Sequence, residues 1–162
     1  VLEVMANGSL NYTVKGICIG IKVTWHYTPP TNGGDTFTSI KKGSKATLKI
    51  VQDEKNGFVK ELYIQKEPDI DNRTFEAQLQ KTVEQLQITY PFLSVKNKKN
   101  GTYLIDIPQE KRLGHEEHFS KVAKAFLHYV HNQDMPEWEN ENTLAKYYIT
   151  TTAVEMAKKG NK

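Results

Sequence analysis

Apolar and polar residues alternate with period two over much of the first 65 positions, and apolar residues take up helical spacing after position 66. The clearest run is 17–27. Ile17, Ile19, Ile21, Val23, Trp25 and Tyr27 share one parity, and Cys18, Gly20, Lys22, Thr24 and His26 share the other, which predicts a strand with one buried face. Segments 1–6 and 9–15 flank Asn7-Gly8, a dipeptide that tolerates positive φ at both positions and so predicts a two-residue hairpin turn. The stretch from Thr28 through Pro29, Pro30, Gly33 and Gly34 ends the long strand, because proline cannot donate to a ladder. Strands are predicted again at 35–41, 45–52 and 60–65.

Past position 66, Phe75, Leu79, Val83 and Leu86 predict a helix over 73–89, stopped by Pro91. Segments 93–98 and 102–107 read as a hairpin around Asn100-Gly101. Phe119, Val122, Ala123, Phe126, Leu127 and Val130 form a wide apolar stripe on a helix over 116–132. A last helix is predicted over 143–159, with Asn142 as its N-cap and Gly160 as its C-cap. Strands in short hairpins followed by a block of helices predict an α+β fold. The expected architecture is one open, mainly antiparallel sheet of about seven or eight strands with three helices on one face.

Composition narrows the class. At 162 residues, 38% hydrophobic and 10% aromatic, the chain suits a single folded domain over 1–162 and is not disordered. The lone Cys18 cannot form an internal disulfide, and its place inside a strand predicts a buried structural thiol. No apolar run approaches the roughly 18 residues of a membrane span, so a soluble protein is expected, cytoplasmic or periplasmic. The chain opens at Val1 with no basic segment before an apolar stretch, so no targeting signal is expected within it. The excess of 22 basic over 19 acidic residues is spread along the chain, which gives no reason to expect a nucleic-acid partner.

Candidate chemistry is sparse. His115 and His118 are three apart on one helix, as are His128 and His131. At about 100° per residue the two pairs face differently, and they lie about 20 Å apart along the axis, so they cannot share a tetrahedral metal site. No metal is expected. His26, at the end of the long strand beside the proline and glycine loop and close in sequence to Asp35, is the histidine best placed to face a ligand. Neither G-x-x-x-x-G-K-[ST], G-x-G-x-x-G nor G-x-S-x-G occurs, so no phosphate-cradling loop and no nucleophile elbow is present. Lys96, Lys98 and Lys99 gather at a hairpin tip, where lysines commonly solvate and guard an edge.

Five segments carry a resemblance. They are Val23-Thr24-Trp25-His26-Tyr27, then Gly33-Gly34-Asp35-Thr36, then Lys42-Gly43-Ser44-Lys45-Ala46, then Gly114-His115-Glu116-Glu117-His118-Phe119, and last the run from Asn142 to Ala153. In this order they resemble the C-terminal domain of oxidoreductases of the Gfo/Idh/MocA (glucose–fructose oxidoreductase/inositol dehydrogenase) superfamily, in its Bacteroidetes form. The resemblance implies a two-part enzyme in which an N-terminal Rossmann domain binds NAD or NADP. The C-terminal domain then supplies an open sheet that helps bind a sugar-like or polyol substrate and forms a homo-dimer or higher oligomer. The family's Glu-Lys-Pro motif is absent, since Lys66-Glu67-Pro68 has a different order. No catalytic, cofactor-binding or metal residue is therefore assigned to this chain, and the isolated fragment is expected to be inactive. His26 and Asp35 are the substrate-facing candidates. The alternative is a free-standing carbohydrate-binding or scaffolding domain.

Overall fold

The computed structural model describes residues 6–31 and 33–160. The chain divides into two compact units, one formed by residues 29–115 and the other by residues 1–28 with 116–162.

The first unit holds a five-stranded antiparallel sheet in the order β3-β4-β5-β7-β6 and one helix. In the numbering used here, β1 (Gly8–Val14) and β2 (Ile17–Val23) belong to the second unit, and β3 (Phe37–Lys42), β4 (Ala46–Gln52), β5 (Glu61–Lys66), β6 (Ser94–Asn97) and β7 (Thr102–Asp106) to the first. The register puts Leu48 opposite Ile64 and Leu62 opposite Ile105, so those apolar residues share a face. Lys49, Tyr63, Leu104 and Lys96 make up a row on the other. Helix α1 (Asn72–Gln87) lies on the apolar face. Asp71 caps it by accepting from the Thr74 N–H, which satisfies one of its orphan donors. The core sits where α1 meets β7: Val83, Tyr103 and Ile105 are buried there, and the Phe75 and Tyr103 rings lie 5.7 Å apart. Lys66 is buried as well, its Nζ donating to the carbonyls of Glu67, Pro68 and Ile70 at 3.0, 3.5 and 2.5 Å. That one side chain ties down the whole connection between β5 and α1. The β6–β7 turn runs through Lys99, Asn100 and Gly101 at φ 75°, 49° and 70°, at the place the Asn-Gly signal predicts.

The second unit holds a two-stranded ribbon, β1 paired with β2, and two helices, α2 (His115–Asn132) and α3 (Glu137–Gly160). The ribbon turns at Lys15 and Gly16, with φ of 49° and 80°. It does not turn at Asn7-Gly8, where β1 begins. The predicted strand over 1–6 lies almost wholly outside the described residues. Helix α3 starts at Glu137 rather than 143 and takes Asn142 inside itself. Pro136 immediately before it loses no hydrogen bond at a helix start, and Glu137 and Glu139 suit the positive end of the dipole.

Several expectations need correction. The seven strands form two sheets of two and five strands, not one sheet of seven or eight. Alternation fixes that a segment is a strand, but not which strand it pairs with. Only α1 lies with the five-stranded sheet, whereas α2 and α3 fall in the other unit. The isoleucine face of the long strand is not buried, with Ile17 66% and Trp25 74% exposed. Cys18 is exposed too. Hydrogen bonding in β2 stops at Val23 because its partner strand ends at Gly8, the residue opposite. Among the described residues, no helix is long and apolar enough to cross a membrane.

Candidate functional site: a strand-end histidine and a polar sheet face

His26 lies just past β2, where the ladder has ended. Asn7, the residue before β1, fills the place of the missing strand. Its Oδ1 accepts from the Trp25 backbone N–H at 2.7 Å, so its amide nitrogen is turned toward His26 Nδ1. An amide nitrogen only donates, so Nδ1 must present its lone pair and the neutral ring carries its proton on Nε2. Two hydrogen bonds from one asparagine thus fix both the tautomer and the orientation of His26. Beside it in sequence stands Trp25, whose side chain is largely exposed. Asp35 lies in the other unit, exposed, two residues before β3.

The α2 histidines do not assemble. His128 faces Asp134 at 3.1 Å and takes an amide contact from Asn132. Among the described residues no three His, Cys, Asp or Glu side chains are grouped to hold a metal ion.

The polar face of the five-stranded sheet carries groups that the sequence reading passed over. The Tyr63 hydroxyl donates to Glu61 Oε2 at 2.6 Å. That bond, then partial burial, then the negative charge of Glu61 and of Asp53 push the Tyr63 phenol up to about 12. Next to it, Thr102 Oγ1 donates to Gln65 Oε1, and Lys96 pairs with Asp106 at 2.6 Å. The alternation Glu61, Tyr63, Gln65 was visible in the sequence, but only strand pairing shows what each residue meets. A raised phenol pKa stabilises the fold fully below the unfolded value near 10, and the contribution is lost as pH rises through about 12. Spectrophotometric titration should therefore show a phenol ionising near 12 that disappears in Tyr63→Phe. A tyrosine titration with nothing above 11 would show that the Glu61 bond does not form in solution.

Residues 1–158 match the family described as Putative oxidoreductase C terminal domain. The chain belongs to this family. Its membership agrees with the superfamily named from the sequence segments above. A crystal structure of a putative oxidoreductase from Parabacteroides merdae resembles this Oxidoreductase C-terminal domain with a TM-score of 0.90 and 38% sequence identity. The likeness covers 95% of this chain and 35% of that one, so the domain spans about a third of the length of the solved relative. No curated protein matches.

Proposed function

We propose that this domain is the substrate-binding and oligomerisation part of an NAD(P)-dependent oxidoreductase acting on a sugar or polyol derivative. In this reading, the dinucleotide is held by a Rossmann domain outside these residues. The observation that carries it is the family match over 1–158, joined to a solved oxidoreductase of which the domain makes up 35%. The chain also carries no glycine-rich turn into a helix start, the feature that would hold a pyrophosphate.

His26 and Asp35 are the proposed substrate-facing residues. The Asn7 contact leaves His26 Nε2–H as a donor of fixed direction. The exposed Trp25 ring offers an apolar surface of the kind that the C–H face of a sugar covers, while a donor such as Nε2–H takes one of its hydroxyls. In the same reading, two copies of the domain associate through their strands.

Calorimetric titration of the isolated chain with NAD and with NADP tests the division of labour. Neither should bind. Micromolar affinity for either would overturn the assignment of the dinucleotide to another domain. Polypeptides that extend this domain, assayed against a panel of sugars with both dinucleotides, test the reaction itself, and the absence of any dinucleotide-linked oxidation would favour the carbohydrate-binding alternative.

A further inference from the structure

We infer that the free edge of β2 is an interface for a second copy of this chain, formed by antiparallel β2–β2 pairing about a two-fold axis at Gly20. This rests on the self-association proposed above and specifies its contact. Among the described residues, β2 is hydrogen-bonded to a strand on one side only, by β1. A two-stranded ribbon is marginal in water, and three or more strands are the usual minimum for independent stability. The ribbon is also poorly covered, with Ile17, Ile21 and Val23 at 66%, 40% and 48% exposure.

The edge lacks the devices that keep edges apart. β2 contains no proline and a single charge, Lys22. The edges of the five-stranded sheet are guarded differently: β3 ends in Lys41 and Lys42, and β6 holds Lys96 with Lys98 and Lys99 following. Adding either of those edges to β2 would bring lysines toward Lys22. Pairing β2 with its own copy does not. Centred on Gly20, Ile17 falls opposite Val23, Ile19 opposite Ile21, and Cys18 opposite Lys22. Every odd position then meets an odd position, so the apolar residues of both copies share one face and build a four-stranded sheet. The contact is self-complementary, as a two-fold axis requires.

Cys18 supplies the probe, being the sole cysteine and exposed. In this register the two Cys18 residues are four positions apart along neighbouring strands, about 14 Å. Sedimentation at tens of micromolar should show a dimer, and a nitroxide on Cys18 should show dipolar broadening in frozen solution. Ile21→Lys should abolish both. Ile21→Thr, which keeps a β-branched side chain and so the strand, should weaken the dimer about tenfold. A monomer overturns the inference together with the proposed self-association. A dimer without broadening overturns the edge contact alone. So does a dimer insensitive to both Ile21 changes but broken by Phe126→Lys, which would place the contact on the exposed stripe of α2.

Discussion

Replacing Lys66 with methionine is expected to destabilise the five-stranded unit by about 3 kcal/mol. The side chain is 8% exposed, and its Nζ donates to three backbone carbonyls between Glu67 and Ile70. An ammonium has three donors and no acceptor, so three carbonyls use its whole capacity. Methionine matches much of its length but donates nothing. Three carbonyls that close the turn into α1 would lose their partner, and a buried acceptor left unmade costs more than an average hydrogen bond contributes. The turn also sets the position of Asp71, whose carboxyl is held below the usual range by hydrogen bonds from the Thr74 backbone and hydroxyl. Both tryptophans, Trp25 and Trp138, belong to the other unit, so their fluorescence is a poor reporter. Native-state hydrogen exchange of the β5 and β7 amides is the suitable measurement. Unchanged protection there would mean that the carbonyls are satisfied without Lys66.

Tyr103→Ala should cost about 4 kcal/mol, the range typical of a large aromatic removed from a core. Tyr103 is 4% exposed, sits on the β7 face that α1 covers, and contacts the Phe75 ring. Its hydroxyl donates to Glu76 Oε1 at 2.9 Å, and Asn97 Nδ2 donates to the same oxygen at 3.1 Å. Tyr103→Phe keeps the ring and leaves Glu76 its Asn97 donor, so it should cost only about 1 kcal/mol. The contrast between the two variants separates ring packing from the hydroxyl bond. Urea unfolding followed by the same β5 and β7 amides would measure both. Equal losses in the two variants would show that the hydroxyl, not the ring, holds α1 to the sheet.

The residues behind these two effects were unevenly legible. Val83 and Phe75 stood out by helical spacing, and Tyr103 by its place in a strand after Asn100-Gly101. Lys66 did not. A lysine at a strand end reads as solvated, and only the turn that follows brings three carbonyls around its amine. The same holds for Tyr63, which becomes a distinctive phenol because β5 places Glu61 two residues away on the same face. His26 was visible as a strand-end histidine, but its tautomer depends on Asn7, nineteen residues earlier in the chain.

By itself the sequence determined the local elements: seven strands, three long helices, the Asn100-Gly101 turn, and the family to which residues 1–158 belong. These follow from side-chain period and turn chemistry, which act over a few residues and leave a direct trace in the order of residue types. The tertiary structure alone decided that β1 and β2 stand apart from β3 to β7, and that the isoleucines of β2 remain exposed. An apolar stripe states that a face will be covered, but it carries no address for what covers it. Strand pairing and helix docking are chosen among many faces of similar hydrophobicity, and the choice is made by the whole chain at once.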